Sequence, residues 1–197
     1  PDVLPLLQKQ MRRMQNLVAD LLTLAQLESA PEQPPMTPVD MPSLLNGMVA
    51  EARALDGRRH VIGSQVEAGL QLYGSSTELR SIAGNLLTNA LRYSPEGRRV
   101  EVIWQRGKDG RGTPCAVLTV RDEGPGIAAE HLPRLTERFY RVDGGRSRDT
   151  GGTGLGLAIV KHALTRHGGH LEIESEVGRG SQFRAVFSVE RMVPDGD

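Results

Sequence analysis

Asn85-Leu86-Leu87-Thr88-Asn89-Ala90-Leu91-Arg92-Tyr93 is the stretch on which the reading of this sequence turns. From Asn85 the steps to Asn89, Arg92 and Tyr93 are four, three and one. On a helix, steps of four and three keep Asn85, Asn89 and Arg92 on one face, while Leu86 and Leu87 turn to a core. Asparagine is a poor helix former, so two of them in mid-helix ask for a reason. Side-chain carbonyls are hard oxygen ligands, and Mg²⁺ takes few protein ligands while keeping waters and substrate phosphates. An arginine beside them pairs with phosphate. The plainer alternative is a solvated face without chemistry, and this helix alone does not decide between them. Ser75 or Ser76 caps the helix, and Ser94-Pro95-Glu96-Gly97 turns the chain after it.

Downstream, Arg99–Gln105 and Cys115–Arg121 read as strands joined by a glycine-rich loop, with Trp104 packing on the sheet. Asp122-Glu123-Gly124-Pro125-Gly126-Ile127 follows directly. A carboxylate at a strand end accepts hydrogen bonds from an amine such as the N6 of adenine, and the glycines let backbone approach a flat ring. Residues 123–152 form a long loop rich in Gly and Arg, and such loops are usually functional. Inside it, Glu137-Arg138-Phe139-Tyr140-Arg141, followed by Arg146 and Arg148, suggests a lid: the rings anchor it and an arginine reaches phosphate. Gly151-Gly152-Thr153-Gly154-Leu155-Gly156-Leu157-Ala158 closes the loop and opens a helix to about His167. Backbone N–H groups at a helix start bind phosphate. The run follows no strand and is not a Rossmann unit, and no P-loop or Ser/Thr/Tyr-kinase signature occurs. Taken singly, each of these stretches also reads as an ordinary turn or basic loop. Leu171–Ser175 and Gln182–Val189, joined by Gly178-Arg179-Gly180, are the last strands.

Upstream, a strand at Met36–Asp40, a helix from Pro42 to about Leu55, and strands at His60–Val66 and Leu70–Tyr73 precede the asparagine helix. Residues 3–29 read as one long helix with apolar residues at Leu4, Leu7, Met11, Met14, Val18, Leu21 and Ala25. That alternation of threes and fours is a heptad seam, which wants a partner helix. The alternative is that the seam docks on the rest of the domain. Four prolines between Pro31 and Pro38 forbid helix continuation and place a linker there. The expected organisation is therefore a helix at 1–30, a linker at 31–38, an α/β domain at 39–191 and a tail at 192–197. The fold class is α+β: a two-layer α/β sandwich, a mixed sheet with helices on one face, preceded by one long dimerisation-type helix.

With 24 basic and 24 acidic residues in 197, the formal net charge is zero and gives no ground for nucleic-acid binding. The single cysteine, Cys115, excludes an internal disulfide framework and reads as a small buried hydrophobe. No stretch approaches the ~20 apolar residues of a membrane span, and none reads as a signal peptide. The chain starts with Pro-Asp-Val-Leu, which reads as a fragment, so any membrane link is expected in absent segments.

Jointly and in this order, the four motifs resemble the N, G1, F and G2 boxes of the histidine-kinase catalytic domain. That domain belongs to the superfamily shared with gyrase-type topoisomerases, the ninety-kilodalton heat-shock chaperones and mismatch-repair ATPases. The resemblance covers residues 36–190, and the linked helix extends it back to residue 3. Leu132 to Asp143 looks most like the phosphate-regulon sensor kinases. The resemblance implies ATP and Mg²⁺ as cofactors, with Asn89 holding Mg²⁺ and Asn85 beside it as the other metal candidate. It implies Arg92 at phosphate, Tyr93 against adenine or ribose, Asp122 at adenine N6, and Gly124, Gly126 and Ile127 as walls of the base pocket. Gly152, Thr153, Gly154, Leu155, Gly156 and Leu157 would serve the phosphates, Arg138 or Arg141 would steady the γ-phosphate, and Ser181 would close the adenine pocket. The hydrolysing relatives carry a glutamate four residues before the metal asparagine. Here that residue is Asn85, which cannot serve as a general base, so transfer is expected over hydrolysis.

The resemblance further implies a response regulator as partner, a homodimer through the N-terminal helix, and a cytoplasmic domain whose full-length protein is anchored in a bacterial inner membrane. The family's acceptor histidine is not found. His60, His131, His162, His167 and His170 all lie outside the heptad helix and read as structural. Residues 3–29 therefore resemble only the second helix of the acceptor hairpin. Two other readings stand beside the histidine kinase: a serine kinase of the anti-sigma-factor type, and a non-catalytic nucleotide-binding scaffold.

Overall fold

The computed structural model describes residues 3–29, 35–142 and 152–194. The first part of the expected linker, Arg146 and Arg148 of the loop, and Gly151 lie outside them. The helix α1 (Val3–Ser29) leads into β1 (Thr37–Val39) and α2 (Met41–Asp56). Asp40 caps α2, its carboxylate accepting from the Ser43 N–H at 3.1 Å and the Ser43 hydroxyl at 2.6 Å. Then come β2 (Val61–Val66), β3 (Leu72–Gly74) and α3 (Ser76–Tyr93). Ser75 caps α3 through the Glu78 N–H. The chain continues through β4 (Arg99–Lys108), β5 (Pro114–Asp122), α4 (Gly156–Arg166), β6 (His170–Glu176) and β7 (Gly180–Ser188).

The main sheet has the order β2-β4-β5-β7-β6. Only β2 and β4 are parallel, and α3 lies in the crossover between them. β1 and β3 pair separately as a small antiparallel ribbon. Helices α2, α3 and α4 cover one face of the sheet, and the core between the layers holds Trp104, Phe187, Leu86 and Leu118. The Trp104 indole N–H donates to the Leu70 carbonyl at 3.0 Å, which satisfies its one polar atom inside the core.

Strand parity places the polar ends. Ala116, Leu118 and Val120 of β5 face the helices, so Asp122, two residues on, faces them too. By the same count Ser181 follows from Phe183, Ala185 and Phe187 of β7, and Ser175 from Leu171 and Ile173 of β6. Cys115 and Val117 fall on the opposite face, where they cluster with Val186.

The heptad seam of α1 is not what docks. Leu4, Leu7, Met11, Met14, Val18 and Leu21 are all exposed, and the alternative of a seam folded onto the domain is overturned. A second stripe does the packing: Leu24 is buried against Leu155 and Ile159, with Leu17 and Leu27 beside it. The seam thus stays open along one side of α1 while the other side holds the domain.

Candidate functional site

A cavity of about 440 Å³ opens between α3, the ends of β5 and β7, the neck of the long loop and the start of α4. α3 contributes Asn85, Asn89, Arg92 and Tyr93 to its wall, and β5 with the following loop contributes Asp122, Gly126 and Ile127. Arg141, Gly152, Thr153, Gly154, Gly156, Leu157 and Ser181 complete the expected set. Gly124, Leu155 and Arg138 are not in the wall. Three residues of α1, Asn16, Ala19 and Asp20, are in it, and the sequence reading missed them.

The strand end of the cavity is built on Asp122. Its Oδ1 accepts the Gly124 N–H at 2.8 Å. A Cβ on Gly124 would stand 2.6 Å from that oxygen, so only glycine allows the turn to fold back on the carboxylate. Burial pushes the Asp122 carboxyl above its ordinary value, against the pull of the N–H donors of Gly124 and Ser181. The far end of α3 is tied down near Tyr93: His60 bridges Asp56, at 2.7 Å from Nδ1, and the Ser94 carbonyl, at 3.0 Å from Nε2. Burial works to raise the Asp56 carboxyl, but the His60 hydrogen bonds and the nearby charges of His60 and Arg59 outweigh it and hold it below the usual range.

Along α3, Asn85 donates its side-chain N–H to the Ser81 carbonyl at 2.9 Å. A Cβ on Gly156 would stand 2.6 Å from Asn85 Oδ1, so the start of α4 presses against the asparagine oxygen. Asn89, one turn on, lines the cavity. Among the described residues no group of three or more His, Cys, Asp or Glu could hold a metal. The oxygens of Asn85 and Asn89 suit a hard cation that arrives with waters and phosphates as its remaining ligands.

The loop is drawn together at its neck. The Phe139 N–H donates to the Gly154 carbonyl at 2.9 Å, and Arg141 donates to the Gly152 carbonyl at 2.7 Å. Only one of the two aromatics anchors it. Tyr140 shares a hydrogen bond of 2.7 Å with His131 and carries Arg134 over its ring at 4.2 Å. Phe139, at φ 62°, is exposed, which corrects the expectation of two anchoring rings. Arg138 pairs with Glu28 of α1, and His162 of α4 lies 3.2 Å from the same carboxylate. The Thr153 hydroxyl donates to Asp20 at 2.6 Å and accepts from the Leu155 N–H at 3.3 Å. Leu155 itself is core, and its contribution here is its backbone.

Residues 74–191 match the family described as Histidine kinase-, DNA gyrase B-, and HSP90-like ATPase, and the chain belongs to it. Its relatives within that family are sensor histidine kinases. The chain is 47% identical over 183 residues to the phosphate regulon sensor protein PhoR of Pseudomonas aeruginosa, across 92% of this chain and 40% of that one. It is similar to the solved structure of the mycobacterial sensor histidine kinase MprB, at 30% identity and a TM-score of 0.65, over 77% of this chain and 96% of that one. It is also similar to full-length ShkA in complex with AMPPNP, at 30% identity and a TM-score of 0.71, over 87% of this chain and 35% of that one. The chain spans about 40% of the length of the curated relatives it matches.

Proposed function

We propose that this chain is the ATP-binding catalytic region of a sensor histidine kinase, which moves the γ-phosphate of ATP to a histidine on a dimerisation helix for relay to a response regulator. The observation that carries this reading is one cavity joining a buried carboxylate at a strand end, Asp122, to the Asn85–Asn89 face and the glycine-rich start of α4. Asp122 accepts from adenine N6, Tyr93 and Ile127 bound the base, and Ser181 closes the pocket. Arg92 and the amides around Gly152, Gly154 and Gly156 receive the phosphates. Asn85 and Asn89 hold Mg²⁺, which when bound supplies charge neutralisation along the phosphates. Arg141, in the cavity wall, is nearer to that duty than Arg138, which must leave Glu28 to share it.

Asn85 supports transfer over hydrolysis. Its amide donates to Ser81, and an asparagine abstracts no proton from water. In this reading residues 1–30 are the second helix of the acceptor hairpin, 31–38 the linker, 39–191 the catalytic domain and 192–197 a tail. The exposed heptad seam is the face for the first helix and for a second copy. Among the described residues no helix is long and apolar enough to cross a membrane, so an inner-membrane anchor, as in a phosphate-starvation sensor, belongs to other segments.

The test is to incubate the chain with Mg-ATP and a separately made acceptor-helix hairpin. Phosphate that appears on the hairpin, lost in acid and kept in base, is the expected result. Acid-stable phosphate would mean a serine kinase, and no transfer despite ATP binding would mean a scaffold.

A further inference from the structure

We propose that Ser175 is a positioning residue for base recognition: it fixes the Ser181 hydroxyl as a hydrogen-bond acceptor toward the cavity. The proposal rests on reading the strand end of the cavity as the adenine pocket.

Asp122, Ser181 and Ser175 stand abreast on adjacent strands. Asp122 is in register with Ser181, and Ser181 with Ser175. All three face the helix layer, and Ser175 alone is outside the cavity wall. The hydroxyl hydrogens can be assigned by counting. The Ile127 N–H donates to Ser175 Oγ at 2.8 Å. Ser175 has one hydrogen to give, and the Gly180 carbonyl, which only accepts, receives it at 3.0 Å. Ser175 Oγ and Ser181 Oγ lie 2.9 Å apart, and with the Ser175 hydrogen spent, Ser181 is the donor. The reverse assignment sets the lone pairs of Ser175 Oγ and Gly180 O against each other.

The Ser181 hydrogen is therefore committed to Ser175, and Ser181 offers lone pairs to the cavity it lines. Beside it stands Asp122, which is also an acceptor. The pair makes an edge that suits an amine, directly or through a water, and leaves a 6-oxo group facing acceptors. A site whose buried polar groups go unpaired rejects that ligand. The same Ser175 oxygen holds the Ile127 N–H, so one hydroxyl sets both the wall and the polarity of the pocket.

The experiment compares binding of Mg-ATP and Mg-ITP, whose base carries a 6-oxo group in place of the amine, to the whole chain and to its variants. Ser175→Ala should lower the ATP-over-ITP preference about tenfold, because the freed Ser181 hydroxyl can turn and donate. Ser175→Thr should keep the preference, and Ser175→Ala should add nothing in a Ser181→Ala background. A merely structural role would weaken both nucleotides alike; a preference unchanged within about twofold in Ser175→Ala would overturn the proposal. Should Ser175→Ala fail to fold, Ser175→Cys carries the test, since a thiol is a weak donor and acceptor and should lower the preference in the same direction. Asp122→Ala separates the two readings: if it leaves the ATP preference intact, the adenine assignment itself is wrong, whatever Ser175 does.

Discussion

At the strand end of the cavity, Asp122, Ser181 and Ser175 take their partners from adjoining strands and turns of the same domain. At the glycine-rich end, Thr153 and Arg138 take theirs from α1, as Asp20 and Glu28. The difference lies in what must change when a nucleotide enters. On the proposed function the strand end is the base end, and its hydrogen bonds are already made within the domain. The other end brings two carboxylates of α1 to Thr153 and Arg138, so on the proposed function triphosphate binding and the docking of α1 would compete for the same donors.

The contrast can be broken hardest at Asp122. Asp122→Ala should weaken ATP by about a hundredfold and erase its preference over GTP, the cost of removing a buried acceptor from a donor-bearing base. Retained preference in competition binding would remove the base end from this account. Asn89→Ala should leave affinity without Mg²⁺ unchanged and cancel the gain that Mg²⁺ gives, about tenfold. Persisting Mg²⁺ dependence would take the metal from Asn89.

Acid gives a further lever on the same end. Burial raises the Asp122 carboxyl above its ordinary value, so the acidic limb of ATP affinity should lie at higher pH than an ordinary carboxylate gives. The sign for stability is opposite: the raised group stabilises the fold below its unfolded value, and that contribution is lost as pH rises through the folded one. The ionised carboxylate is thus held at a cost to the fold. Titrating ATP affinity against pH should show the limb in the parent and not in Asp122→Ala. The smallest effect is expected at the other end. Glu28→Gln releases Arg138 from a partly exposed pair, worth little in water, and should tighten ATP about two- to fivefold. A weaker ATP complex would mean that Glu28 supports the loop rather than restrains it.

Much of this was legible in the sequence, for identifiable reasons. The asparagine face of α3 follows from helical periodicity, and its cap and terminating turn are local chemistry at Ser75 and Ser94-Pro95-Glu96-Gly97. Asp122 is legible as a carboxylate at a strand end before a Gly-Pro-Gly turn, but not the face it takes, since β5 is apolar on both sides. The docking stripe of α1 was hidden because it mixes Leu17, Asp20, Leu24 and Leu27 beside a far more regular seam. Nothing local marks Asp20 as facing a loop more than 130 residues away; that depends on how α4 packs. Ser175 likewise reads in the sequence only as the end of a strand, since its neighbours Ser181 and Ile127 arrive by cross-strand register and by a loop. Phe139 reads as an anchor because apolar rings usually are, and its left-handed backbone leaves no mark in composition.

The most direct test is calorimetry of ATP on this chain with and without Mg²⁺, with hydrolysis followed in the same sample. The account predicts Mg²⁺-dependent binding with little hydrolysis, the behaviour of a transfer site that lacks its acceptor. Absence of binding, or rapid turnover of ATP in water, would contradict it.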